Sequence, residues 1–181
     1  ASVKHPLGYD LQLREPLDFY AVTDHGFFMG MIESYADTTS QISKKDFAKP
    51  FHNLNADVAS NTADENLDTF PARTAMFSDV VASTINMPYF DLHPKVMAAY
   101  FTTNVQLALK SFDYKVHKSA WADMARAAEE HNDPGNFTTF LAYEYTTSTD
   151  TEGGNLHRNV IFEGSKRPLR PFTRIDSLNP E

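Results

Sequence analysis

The chain has 181 residues, is 41% hydrophobic and carries a net charge of -8 with a pI near 5.3. That length can bury a core as one domain or a large part of one, and the acidic balance, with no basic stripe, argues against a nucleic-acid surface. No apolar run approaches the length of a membrane span, and the first residues lack a signal peptide's charged and apolar regions, so a soluble chain, cytoplasmic or periplasmic, is expected.

Pro6 and Gly8 give the chain an irregular start, and Arg14-Glu15-Pro16 punctuates the approach to the first strand. Leu17-Asp18-Phe19-Tyr20-Ala21-Val22 reads as a buried strand that delivers Thr23-Asp24-His25 at its carboxyl end, with Gly26 directly behind. An acid beside an imidazole at a strand end suits metal binding or water activation. In isolation, the same tripeptide is more often a turn or a cap. An insertion then runs over roughly 26–93. Its polar, cap-rich stretches Asp37-Thr38-Thr39-Ser40 and Asn53-Leu54-Asn55-Ala56-Asp57 predict helical or irregular pieces covering one face of the domain. Phe27, Phe28 and Tyr35 read as packing groups within it.

Two helices follow. Pro94 to Ser111 carries Val96, Met97, Tyr100, Phe101, Val105, Leu107 and Leu109 at mostly helical spacing, with Pro94 suited to the first turn. In the next, Trp121, Met124, Ala125 and Ala128 fall at i, i+3, i+4 and i+7, Ser119 is the expected N-cap, and Asn132-Asp133-Pro134-Gly135 is the stop. Helix then strand is the order of an α/β domain.

Phe137 to Tyr145 is aromatic and β-branched and reads as a strand ending at Glu144. His157 opens another, running through Asn159-Val160-Ile161-Phe162 after a loop containing Gly153-Gly154. Paired as a hairpin, these would bring Glu144 and His157 face to face at the loop end. If Asp24 and His25 finish a neighbouring parallel strand at the same rim, all four converge where open-sheet and barrel enzymes keep their chemistry. A carboxylate within an aromatic strand needs a partner, since an unpaired buried charge is costly. For Glu144 that partner is a metal or Arg158. The chain has no cysteine, so metal ligands are limited to His, Asp and Glu.

At these residues the chain resembles a known family. The Leu17-to-His25 run, Trp121 with Pro134-Gly135-Asn136-Phe137-Thr138-Thr139-Phe140 and Glu144, and Gly153-Gly154-Asn155-Leu156-His157-Arg158-Asn159-Val160-Ile161-Phe162 look like a little-characterised bacterial family. That family is related to the PHP superfamily, the polymerase and histidinol phosphatase type of metal-dependent phosphoesterase. The resemblance spans Pro16 to Phe162. It implies an α/β fold, a distorted β/α barrel, with a site of two or three divalent ions (Zn, Mn or Fe). By motif His25, Glu144 and His157 match metal ligands, Asp24 supports them from behind, and Arg158 either contacts substrate or pairs with Glu144.

The pattern also departs from that family. A His-x-His pair is expected before the first strand, where only His5 stands, and a later His and an Asp-x-His pair have no counterpart. Ser177-Leu178-Asn179-Pro180-Glu181 reads as the opening of a helix that does not follow. The expectation is therefore one partial barrel domain over 1–181 with its flanking parts absent. Asp91-Leu92-His93 resembles the opening of the lacking motif, but Pro94 intervenes and Lys95 occupies the second histidine's place. It is read as a chance similarity. His52, His117 and His131 are read as solvent-exposed histidines, and Lys166-Arg167-Pro168-Leu169-Arg170 as a solvated loop, with contact to an anionic substrate as its functional alternative.

The resemblance implies a phosphoesterase-like hydrolase core acting on a small anionic molecule, its ions lowering the pKa of a bound water and polarising a phosphoryl oxygen. The contrasting reading is a catalytically inactive fragment or binding module that keeps the fold without a complete metal site. No feature of the sequence specifies an oligomer.

Overall fold

The structure, a computed structural model, describes residues 2–4, 9–52, 71, 110–148, 155–173 and 175–176. Among these, β1 (Val3–Lys4) pairs antiparallel with β2 (Asp10–Leu11), and β3 (Phe19–Ala21) pairs parallel with β4 (Thr138–Phe140). The third pair is an antiparallel hairpin of β5 (Ala142–Ser148) and β6 (Asn155–Ile161). With α1 (Met31–Ala36) and α2 (Tyr114–Glu130) the architecture is a mixture of helix and small sheets. The described strands form three two-stranded sheets and not a closed barrel. No helix among the described residues is long and apolar enough to cross a membrane.

Helix α2 organises the packing. The Asp113 carboxylate caps it, accepting from the Lys115 amide at 2.8 Å and the Val116 amide at 3.4 Å. The cap thus lies six residues before Ser119, which sits inside the helix; the four amides freed at a helix start select the nearest side-chain acceptor, and here that is Asp113. The helix ends at Glu130 ahead of Pro134 and Gly135, the latter at φ 97°. Positions 117, 121 and 125 form an i, i+4, i+8 stripe of fully buried residues, His117, Trp121 and Ala125.

That stripe joins two cores. On one side Trp121 and Ala125 pack with Met29, Leu141, Tyr143 and Tyr145. The indole meets Tyr143 edge-on at 5.7 Å, and its Nε1 donates to the Pro168 carbonyl at 2.9 Å. Burying a side chain of this size is worth about 4–6 kcal/mol at roughly 25 cal/mol per Å². On the other side Phe27, Phe28, Met31, Tyr35, Ile42, Ala48 and Phe51 form a core that Phe112 and Val116 close. Phe27, Phe28 and Tyr35 are therefore packing groups, as read from the sequence.

The described part of the expected cover, up to His52, is a packed module. Its two 3-10 turns, Ile42–Lys44 and Asp46–Phe51, bury Ile42, Ala48 and Phe51 against Tyr35. Gly30 lets it approach α2. At φ 75° it adopts a backbone that favours glycine, and a Cβ there would stand 2.6 Å from Ala120 Cβ. The rest of the insertion, including Asn53 to Asp57 and Asp91-Leu92-His93, lies outside the described residues. So do His5, positions 94–109 of the Pro94 helix, the Gly153-Gly154 loop and the tail from Ser177.

One strand departs from its reading. β3 was expected to be buried, yet Phe19 is 67%, Tyr20 51% and Val22 41% exposed. Among the described residues β3 has a single neighbour, β4, and α2 stands off from it across a cavity of about 300 Å³ lined by Tyr20, Val22, Met124, Ala128 and Leu141. Apolar residues make a strand, but burial needs a layer to cover it.

Candidate metal centre

The run from Phe137 to Tyr145 is not one strand ending at Glu144. It breaks at Leu141, β4 pairing with β3 and β5 continuing to Ser148, so Glu144 lies three residues into β5. Past β3 the chain stays beside β5: His25 and Glu144 form a parallel bridge, the Glu144 amide donates to the Asp24 carbonyl and the Gly26 amide to the Glu144 carbonyl, each at 2.8 Å. His25 is thus locked to the glutamate's backbone before either side chain acts.

The hairpin register supplies the third residue. Glu144 stands opposite Asn159, and His157 opposite Thr146. Side chains alternate between faces along each strand, so Glu144, Thr146, His157 and Asn159 share one face while Tyr143 and Tyr145 enter the core under α2. Glu144 and His157 therefore meet on the diagonal rather than face to face, with His157 Nδ1 3.0 Å from Glu144 Oε1. His25 Nδ1 is in contact with the other carboxylate oxygen.

One ligand-type atom from each of His25, Glu144 and His157 lies within 4.8 Å of the others. The imidazole rings are 5.8 Å apart, and Phe27 backs the His25 ring at 5.0 Å. The Glu144 side chain is 18% exposed against 47% and 49% for the two histidines, so the carboxylate sits at the base and the imidazoles at the mouth. Two imidazole nitrogens and a carboxylate oxygen are a donor set that zinc, manganese and iron accept, and these three residues can hold a divalent ion.

The other sequence-derived site residues fall elsewhere. Asp24 touches the cluster through its backbone carbonyl, while it lines the cavity beside Val22 and His131, on the α2 side. Arg158 stands opposite Tyr145, on the face away from Glu144, and among the described residues the partners of the Glu144 carboxylate are His25, Thr146 and His157. Register, not charge, selects those partners. In the basic segment Arg167 pairs with Glu129 at 2.5 Å, and Arg170 pairs with Asp176 at 2.5 Å and lies over the Tyr114 ring at 4.9 Å. The segment is the exposed loop expected, and its arginines also anchor the chain after β6 to α2 and to Asp176.

Two residues behind the cluster were not read as site residues from the sequence. His117, read as exposed, is fully buried, and its Nε2 donates to the Gly26 carbonyl at 2.5 Å. Burial pushes its pKa below the ordinary 6.5, with the Gly26 hydrogen bond opposing and the Arg170 charge assisting. Burial thus favours the neutral ring, which ties α2 to the residue after His25. Gly26 fits there because a Cβ would come 2.6 Å from the Tyr143 ring. For His117 the available clue was its place four residues before Trp121 on the helix stripe. The other missed residue, Thr146, is 2% exposed and lies two residues after Glu144 on the same strand face, a relation that alternation alone predicts. His52 bonds the Ser43 carbonyl at 3.0 Å, and His131 ends α2.

No curated protein and no solved structure matches the chain. The model of one family, described as "Protein of unknown function (DUF3604)", matches residues 1–181, and the chain belongs to that family.

Proposed function

We propose that His25, Glu144 and His157 form one corner of the metal centre of a hydrolase related to the PHP-type phosphoesterases, acting on a small anionic ester. The observation that carries this reading is the convergence of three ligand-type atoms within 4.8 Å from three separate stretches of chain. Structural packing alone does not call for two imidazoles on one carboxylate. A bound divalent ion would supply an acidified water and a polarised ester oxygen. The chain's own residues do the positioning. Glu144 holds both imidazoles by Nδ1, the bridge of His25 to Glu144 fixes the first strand end against β5, and Phe27 shields one side of the His25 ring. Further ligands of a distorted β/α barrel of this type, completing two or three ions, would come from outside the described residues.

A second reading has its own observation. Each polar partner in the cluster is already hydrogen-bonded to another, so the network is self-satisfied as it stands. On this reading the domain is an inactive or binding module with a polar brace between β5, β6 and the first strand end.

Metal analysis separates the two. Purified protein, reconstituted with zinc, manganese and iron(II) in turn, should retain about one equivalent or more per chain after dialysis. The Glu144→Gln and His25→Ala variants should lose it, together with any hydrolysis of p-nitrophenyl phosphate. Protein that retains no ion after reconstitution overturns the hydrolase reading in favour of the structural brace.

A further inference from the structure

We propose that the Thr146 hydroxyl is a positioning group for this cluster and takes the fourth place around a cation bound there. The inference rests on the metal reading and adds a residue to it. Thr146 is 2% exposed in the middle of β5, a position where valine would serve packing equally well. A buried hydroxyl is unfavourable unless it is hydrogen-bonded. Among the described residues the partners of this one are the three members of the cluster. Its Oγ1 donates to Glu144 Oε2 at 3.2 Å and lies 2.9 Å from His25 Nδ1 and 3.4 Å from His157 Nδ1.

These separations have the size that coordination requires. An ion bound tetrahedrally at about 2.0–2.1 Å from its ligands holds them roughly 3.3 Å apart. The hydroxyl's three distances run from 2.9 to 3.4 Å, and His157 Nδ1 stands 3.0 Å from the second carboxylate oxygen, Oε1, while His25 Nδ1 is in closer contact with Oε2 and would move outward to share an ion. Thr146 Oγ1 therefore closes a four-cornered donor set from the protein side, beneath the carboxylate. The imidazoles, each about half exposed, leave the opposite side open to substrate. Even without direct coordination, the hydroxyl fixes which Glu144 oxygen faces His25.

Cobalt(II) titration of the full chain, followed by equilibrium dialysis and by visible absorption, tests this. Wild type and Thr146→Ser should bind with affinities within a few fold of each other and share one absorption spectrum. Thr146→Val should lose on the order of 10–100-fold in affinity and show a changed spectrum, with an unaltered near-ultraviolet circular dichroism from the Trp121–Tyr143 core. If valine perturbs that core, Thr146→Ala set against Thr146→Ser carries the same comparison. Valine or alanine variants that match wild type in affinity and spectrum overturn the proposal and leave the metal reading standing. A serine variant as weak as valine overturns the hydroxyl's role. Wild type that binds no cobalt overturns the metal reading itself, and this proposal with it.

Discussion

The β5–β6 hairpin and the β3–β4 pair are built from similar residues and end in opposite environments. Tyr143 and Tyr145 of β5 are buried beneath Trp121, whereas Phe19 and Tyr20 of β3 are more than half exposed. Both stretches are aromatic and β-branched. The difference is that α2 lays its stripe on the hairpin and stands away from β3 across a cavity. The candidate site lies where the two regions meet, on the hairpin's outer face, with His25 carried in by the strand that emerges from the less covered pair.

Substitutions at three positions test that contrast. The largest effect is expected at Trp121. Replacement by alanine should cost about 3–5 kcal/mol in chemical denaturation and should release the hairpin, since the indole contacts Tyr143 and Phe162 and holds the Pro168 carbonyl. A loss below about 1 kcal/mol, the range of ordinary substitutions, would show that the hairpin does not depend on α2.

An intermediate effect is expected at His117, with a definite pH dependence. Its folded pKa lies below 6.5, the value of an unperturbed histidine. As pH falls below 6.5 the unfolded chain takes up a proton that the folded chain refuses, so stability falls with pH until the folded pKa is passed. The slope contributed is at most about 1.4 kcal/mol per pH unit. The groups acting on the ring are the Gly26 carbonyl, Arg170 and Asp176. His117→Gln keeps a donor for Gly26 and should flatten that part of the stability profile, while His117→Ala strands the carbonyl and should cost about 1–3 kcal/mol. Denaturation midpoints of the three proteins between pH 5 and 8 check both statements. Identical slopes for wild type and the glutamine variant would refute the neutral, buried assignment.

The smallest effect is expected at Tyr20. Being half exposed, Tyr20→Thr should change stability by no more than about 0.5 kcal/mol. A loss several times larger would mean that the outer face of β3 is covered in the folded protein and would erase the contrast between the two regions.

Much of the site was legible from the residues. A hairpin between the strand of Glu144 and that of His157 follows from two strand-like runs joined by a polar loop, and a parallel partner for the Thr23-Asp24-His25 strand follows from the α/β order. The finer placement was not legible. Where Phe137 to Tyr145 breaks depends on β4 choosing β3 and β5 choosing β6 as neighbours. That Arg158 leaves Glu144 to His157 depends on a register defined only when the strands pair. Ser119 yielded to Asp113 as the cap because α2 starts a turn and a half earlier than its apolar spacing implies.

What the sequence by itself determined is local: the helix carrying Trp121, the strand runs before His25 and around Glu144, and a set of metal-ligand residue types restricted to imidazole and carboxylate. These follow from spacing and side-chain chemistry within a few residues. The tertiary structure alone decided which strand is covered, that His117 is buried against Gly26, and that Thr146 meets His25 across 121 positions of chain. Burial and register arise from contacts between distant segments, and no local period encodes a neighbour that far away.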